Sequence, residues 1–349
     1  MNENEKKVCE FIFSSPLRTL LDDEDVTDIS YNGASIFFFT HRHGRQKSDI
    51  RLSHGEANDF IRQIANLNNV LFSTAKPIMD TSVANLRISA IHDSLARKNG
   101  EKVTHFSIRK HSQNIIDFRQ KEAGNSLLFD LLSAYVQCKL SIAISGKAGS
   151  GKTEMQKYIL TLLPKNERVV LIDSVDEIEE SNQYDLDLSI WRVNDNDELR
   201  TQELIRASLR QNPDWIILAE ARGKEMKDIL SSIRSGHPSI FTCHSLRAEL
   251  TPYRILELIG NPNLIDYSKV RIDDITNHIP LYVHMEKKIT SKGIVHQVSQ
   301  VVIYEQSKPH LIYQKKEKPF YYPLPLVFGQ MIGEIDLNLL KAWKNKQHD

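Results

Sequence analysis

Cysteine is scarce. Cys9, Cys138 and Cys243 stand far apart and form no C-x-x-C pair. That spacing offers neither a zinc knuckle nor a disulfide framework, and it fits reduced thiols in a cytosolic protein. Nowhere do 18 apolar residues run together, so no membrane-spanning helix is expected. The first residues, MNENEKKVCE, lack the apolar core of a signal peptide. Net charge is missing as well: 45 Lys and Arg balance 45 Asp and Glu. A general binder of nucleic acid or of anionic membrane is therefore not supported, although a local basic patch stays open. No internal repeat or low-complexity tract stands out. What remains is an ordinary globular composition, 26% charged and 40% hydrophobic over 349 residues. That length holds two domains, or one with additions.

The most informative stretch is Gly146 to Thr153, GKAGSGKT. It fits G-x-x-x-x-G-K-[ST], with Gly146, Gly151, Lys152 and Thr153 at the fixed positions. The apolar run from Leu140 to Ile144 stands before it as a buried strand. After it, Met155, Tyr158, Ile159, Leu162 and Leu163 follow one helix face until Pro164. The loop thus joins a strand to a helix. Its backbone, from Gly146, Lys147, Ala148, Gly149, Ser150 and Gly151 into Lys152, Thr153 and Glu154, can wrap phosphate oxygens. Lys152 would reach the β- and γ-phosphates of ATP, and the Thr153 hydroxyl would bind Mg²⁺. A fortuitous Gly-rich turn would need the flanking strand and helix to be coincidence.

In chain order, Val26 to Leu52 alternates like strands, with a hairpin turn at His43-Gly44. Ala57, Phe60, Ile61, Ile64 and Ala65 mark one helix face. Asn85–Ile91 and His105–Lys110 read as strands, and 94–102 as a polar loop. His41 and His43 share a strand face, but with no third ligand nearby they read as a basic hairpin tip rather than a metal site. This gives an α+β N-terminal domain over 1–111 and a polar linker over 112–124. From 125 to 349 strands and helices alternate. Asn125 or Ser126 would cap a helix whose buried stripe is Leu128, Leu131, Leu132, Tyr135 and Val136. Val169–Ile172 and Trp215–Leu218 are wholly apolar, as in parallel strands covered on both faces, and Ser239–Thr242 is a weaker third. Helices are expected at 201–211 and 224–234. The alternation predicts an α/β, doubly wound, RecA-like P-loop NTPase domain. Strands are expected at 294–304 and 311–314 and a short helix near 337–343.

Hydrolysis also needs an acidic residue to handle water, a Mg²⁺ site and cations near the γ-phosphate, from the carboxyl ends of the strands. Three stretches lie there. LIDSVDEIE supplies Asp173, Asp176, Glu177, Glu179 and Glu180, or else is a solvated acidic loop. Glu220, after the Trp215 strand, reads as a Walker B acid, or else as a charged strand cap. SGHPSIFTCHS brings His237 and His244, which alone would be structural.

Taken in order and spacing, GKAGSGKT, the acidic box ending in Glu177, PDWIILAEARGKE and SGHPSIFTCHS resemble the secretion traffic ATPases of type II and type IV secretion, type IV pili and conjugation. Val26-Thr-Asp-Ile-Ser-Tyr-Asn32-Gly33 and HFSIRKHS resemble N-terminal segments of the same family. The likeness spans roughly residues 20 to 285. The short N-terminal domain and the S-I-R-K segment place it nearest the type IV secretion and tight-adherence pilus branch, and the absence of a four-cysteine zinc insert argues against the type II secretion and pilus-assembly branch. Ser174 departs from the family's acidic box, where an acid is usual. The resemblance implies a homohexameric, cytosolic Mg²⁺-dependent ATPase working with inner-membrane secretion or pilus components, and the balanced charge weighs against direct nucleic-acid readout. It also allows peripheral association with the membrane's cytoplasmic face. It assigns the general base to Glu177, the ordering of Mg²⁺-bound water to Glu220, and γ-phosphate sensing to His244 and Arg222. Arg87 and Arg109 would clamp the phosphates from the N-terminal domain. Two other classes stay open: a hexameric nucleic-acid motor on the same core, and an ATP-binding platform that does not hydrolyse.

Overall fold

The computed structural model describes residues 3–347, apart from 41, 112–114, 123–124, 175–177, 179–183, 194–197, 261–267 and 291–292. The chain divides into two units: Met1–Gln113 with Ile289–Val295, and Asn114–Lys288 with His296–Asp349.

In the first unit, helices α1 (Glu3–Phe13) and α2 (Arg18–Asp22) precede strands β1 (Val26–Tyr31), β2 (Ile36–Thr40) and β3 (Gly44–Lys47). Helix α3 (His54–Leu67) follows, then β4 (Ile78–Val83), β5 (Leu86–Ile91), a two-stranded ribbon of β6 (Arg97–Lys98) and β7 (Glu101–Lys102), and β8 (His105–Lys110). The ribbon occupies the segment expected to be loop. Ser53 starts α3 with a capping box: its hydroxyl accepts from the Glu56 N–H while Glu56 accepts from the Ser53 N–H. The five residues spaced for one face of α3 are its buried ones. The six-stranded antiparallel sheet runs β3-β2-β1-β8-β5-β4. Period-2 alternation sorts its faces. Ile29, Ile108 and Ile88 line up on the buried side, and Asp28, Arg109 and Arg87 form the matching row on the other.

The second unit is built on a nine-stranded sheet in the order β11-β10-β12-β13-β9-β14-β15-β16-β17. The members are β9 (Ile142–Gly146), β10 (Arg168–Asp173), β11 (Asp187–Arg192), β12 (Trp215–Leu218), β13 (Ser239–Cys243), β14 (Leu281–Thr290), β15 (Gly293–Glu305), β16 (Lys308–Lys315) and β17 (Pro319–Tyr321). The first six are parallel. Successive residues of these strands enter opposite cores. Ile142, Ile144, Val169, Leu171, Trp215 and Ile217 belong to one; Ala143, Val170, Ile172, Ile216 and Leu218 belong to the other. Helices α4 (Phe118–Lys121), α5 (Ser126–Gln137), α6 (Lys152–Leu160), α11 (Leu326–Ile335) and α12 (Leu337–Lys346) supply the first core. Helices α7 (Glu198–Ser208), α8 (Met226–Arg234), α9 (Thr251–Ile259) and α10 (Ser268–His278) supply the second. This is the doubly wound sheet, with helices on both faces.

Three expectations needed adjustment. Asn125 occupies the N-cap of α5, yet its side chain makes no cap bond. Its amide instead donates to Glu122 Oε2 (2.6 Å) and to the Tyr313 hydroxyl (2.7 Å), joining the start of the unit to β16. Helix α6 ends at Leu160 rather than running to Pro164: the N–H groups of Thr161, Leu162 and Leu163 donate to the carbonyls of Tyr158, Ile159 and Leu160, three residues back, in a tightened last turn. Strands β4, β11, β14 and β17 and helices α1, α2, α9, α10 and α11 are beyond the sequence reading, and α4 lies within the stretch read as linker.

Candidate nucleotide-binding site

Strands β12, β13 and β9 are neighbours, and the segments leaving their carboxyl ends meet at one edge of the sheet. Pairing Cys243 with Ser145 sets His244 beside Gly146. Pairing Leu218 with Phe241 carries Glu220 just past the end of β12 to the same level.

The loop after β9 is shaped by its glycines. Gly146 has φ +154°, and a Cβ there would stand 2.5 Å from the Met285 carbonyl oxygen and 2.4 Å from Ser150 Oγ. No larger residue fits without moving backbone. Gly151, at φ +92°, is the αL residue that starts α6. Lys147, Ala148 and Gly149 are exposed at the tip, whereas Ser150 is buried and its hydroxyl has no hydrogen-bond partner among the described residues. Lys152 is only 8% exposed, and its Nζ donates to the Lys147 carbonyl (3.2 Å) across the loop. The loop therefore offers a buried cation, an orphaned hydroxyl and a helix N-terminus, on a backbone that Gly146 lets pass close against β14. These features fit phosphate. Thr153 is half-buried on the first turn of α6. Glu154 pairs with Lys157 (3.1 Å) on the same helix.

Glu220, His244, Arg222 and Lys152 form one chain of contacts. Glu220 Oε1 lies 3.0 Å from His244 Nε2. Glu220 Oε2 accepts from Arg222 Nε (2.9 Å) and Nη2 (2.7 Å). His244 Nδ1 lies 3.4 Å from Lys152 Nζ and 3.2 Å from the Gly146 carbonyl. His244 lies between Glu220 and the loop lysine, with one ring nitrogen towards each. His237, at the start of β13, instead bonds Ser235 Oγ (3.1 Å), so only one histidine of its box joins this cluster. Asp173 is buried at the end of β10 and accepts from the Ile178 N–H (3.0 Å). Glu177, Asp176, Glu179 and Glu180 lie outside the described residues. Arg87 and Arg109 are cross-strand neighbours in the first unit's sheet. Arg87 pairs with Asp80 (2.6 Å) and Arg109 with Asp28 (2.8 Å).

Two residues here carried no motif signal. Gln156 on α6 is wholly buried and donates to the Leu218 carbonyl (2.9 Å), tying the loop's helix to β12. His284 on β14 is paired in register with Ser145, and its Nδ1 lies 2.9 Å from Ser145 Oγ. Burial, then the charges of Lys152 and Lys147, push its pKa down from 6.5 to about 4. The unfolded chain therefore binds this proton near pH 6.5 and the native one only near pH 4. Stability from this group is full above pH 6.5 and drains as pH falls towards 4, with about 2 kcal/mol gone by pH 5. Urea unfolding at pH 7.5 and pH 5 should show a smaller acid loss for His284→Gln than for wild type. Equal losses would show that His284 does not titrate this way.

A glycine-shaped anion cradle, backed by a carboxylate and a histidine from adjoining strand ends on a doubly wound sheet, defines the class: a P-loop NTPase with an added N-terminal α+β unit. Within that class the chain belongs to the type II/IV secretion system protein family, whose model matches residues 14–279. The type IV secretion system protein VirB11 of Brucella suis biovar 1 is 29% identical over 229 residues, covering 60% of this chain and 61% of that protein. An uncharacterized protein of Bacillus anthracis is 23% identical over 349 residues, covering 95% of this chain and 78% of its own length. Among solved structures, the Legionella pneumophila ATPase DotB aligns with a TM-score of 0.62 at 17% identity, over 86% of this chain and 81% of that one. That likeness shows a shared fold.

Proposed function

We propose that the protein is a Mg²⁺-dependent ATPase that works as a homohexameric ring in the cytoplasm and powers transport by a type IV secretion or related pilus apparatus. The observation that carries this reading is the contact chain from Glu220 through His244 to Lys152, because it couples a strand-end acid to the phosphate-binding lysine. Lys152 and the loop N–H groups hold the phosphates. Thr153 and Glu220 hold Mg²⁺, which when bound neutralises phosphate charge. Glu177 takes the proton of the attacking water. Arg222 keeps Glu220 oriented, and His244 senses the γ-phosphate position. Cargo transport, conjugative transfer and pilus assembly all remain within the reading. Among the described residues no helix is long and apolar enough to cross a membrane. Association with the membrane's cytoplasmic face would be peripheral.

Steady-state ATP turnover with Mg²⁺, together with light-scattering mass across a concentration series, tests the proposal. Turnover and closed rings with an ATP analogue are expected; the physical basis for the ring is a heterologous interface that closes on itself. A strict monomer with nucleotide at tens of micromolar would count against the ring. A chain that binds ATP without turnover would favour the assembly platform. Salt-sensitive DNA binding would favour the nucleic-acid motor.

The clamp is a separate proposal. Arg87 and Arg109 are to exchange their Asp80 and Asp28 partners for phosphate oxygens, as guanidiniums can. Arg109→Ala should then slow turnover and weaken ATP binding more than ADP binding. A surface ion pair would be worth only ~0 to 1 kcal/mol of stability and would leave nucleotide discrimination alone. Equal loss of ATP and ADP affinity would dispose of the clamp.

A further inference from the structure

Glu225 is a carboxylate in an unusual position. It stands at the N-cap of α8 and is 3% exposed. It makes no side-chain cap bond to that helix. Instead it reaches backwards: Oε1 accepts from the N–H of Arg222 (2.6 Å) and from the N–H of Gly223 (2.8 Å). Oε2 is buried with no hydrogen-bond partner among the described residues. Burying a carboxylate is expensive, and a solvated Ser or Asn could start the helix more cheaply. The cost makes sense if the two backbone bonds matter.

Their location says why. The segment that follows β12 is pinned on one side by β13, where the Ala221 N–H donates to the Thr242 carbonyl (2.8 Å) and Thr242 Oγ1 donates to the Ala219 carbonyl (2.7 Å). Glu225 pins the other side. Between the two anchors the backbone turns so that the Arg222 side chain folds back two residues and grips Glu220 Oε2 with two nitrogens. That grip leaves Glu220 Oε1 facing His244. An exposed arginine on a free turn would sample many rotamers and lose that freedom at each encounter.

We infer that Glu225 is a positioning residue for ATP hydrolysis: one carboxylate oxygen, by holding the N–H groups of Arg222 and Gly223, fixes the Arg222 guanidinium against Glu220. The inference rests on the ATPase reading above. Glu225 touches neither phosphate nor metal in this scheme. It acts through Arg222, and so its loss must appear in turnover and not in nucleotide affinity.

The experiment uses the full-length chain and five variants. Glu225→Ala should lower kcat by roughly 10²-fold, the scale of an ångström-sized misplacement, with KM for ATP unchanged because the phosphate loop is untouched. Glu225→Gln keeps an acceptor oxygen at the same reach and should recover most of that loss. Glu225→Asp withdraws the oxygen by one methylene and should not. Arg222→Ala combined with Glu225→Ala should be no slower than Arg222→Ala alone, since both remove the same effect. Multiplying effects in that double variant, or an unimpaired Glu225→Ala, would overturn the inference. So would a fall in melting temperature with normal kcat per folded molecule, which marks a purely structural role. If Glu225→Ala does not fold, the Gln and Asp variants decide, and equal turnover in those two overturns it. A wild-type chain without ATP turnover would sink the ATPase reading itself, a result distinct from an active wild type beside an active Glu225→Ala.

Discussion

Lys152→Ala should abolish ATP turnover and greatly weaken nucleotide binding while leaving the protein folded. The ammonium is nearly enclosed, and its position beneath the loop puts it within reach of any phosphate held there. A unit charge about 4 Å from a phosphate oxygen interacts by about 4 kcal/mol at an effective dielectric of 20. Several such oxygens would be lost at once. Stability has little to lose, since Lys152 lines a ligand cradle and its removal takes a poorly solvated charge away. The same change should relieve His284, whose pKa Lys152 helps to depress, and raise it towards its ordinary value. Titration calorimetry with a non-hydrolysable ATP analogue, a thermal melt and a turnover assay would report all of this. Normal turnover in a folded Lys152→Ala protein would end the P-loop interpretation.

Glu177→Gln and Glu220→Gln should fail in different ways. An amide at 177 cannot accept the water's proton, and loss of a general base costs ~10² to 10⁴ in rate with binding intact. An amide at 220 removes negative charge from a group held between His244 and Arg222. Metal affinity should fall there, so that raising Mg²⁺ restores part of the rate. No concentration of Mg²⁺ should help Glu177→Gln. If Glu177→Gln hydrolyses normally and Glu220→Gln alone is dead, the two roles are reversed.

Much of this was legible in the residues, and the boundary is physical. The buried stripes of α3 and α5, the apolar strands β10 and β12 and the phosphate loop all announce themselves through local periodicity or through a backbone that demands glycine. Strand β11 reads poorly because it is an edge, half-exposed and charged at both ends. Asn125 looks like a helix cap by type and place, yet a tertiary partner 188 residues away claims its amide. His284 and Gln156 belong to no motif, and Glu225 closes the PDWIILAEARGKE stretch without any role being readable there. His284 and Gln156 matter through neighbours that the fold brings to them, Ser145 and Leu218, whereas Glu225 acts on the backbone of Arg222 three residues before it. The pairing of Arg87 with Asp80 was equally hidden, since it depends on strand register.

The bond from Asn125 to Tyr313 spans 188 residues of chain, and Trp343, fully buried, closes the same core from still further on. A ribosome adding 5–20 residues per second needs roughly 10–40 s to cover that distance. Throughout that time α5 and the nascent phosphate loop have emerged without the strands and helix that complete their core. The nucleotide-binding half of this protein is thus a structure that its own synthesis finishes from the back. The part of α5 that α11 and α12 pack against has no cover until synthesis is nearly complete. Non-local closure of this kind also slows folding. Truncations that spare every recognised motif but remove β16 to α12 should therefore yield aggregates rather than a smaller enzyme.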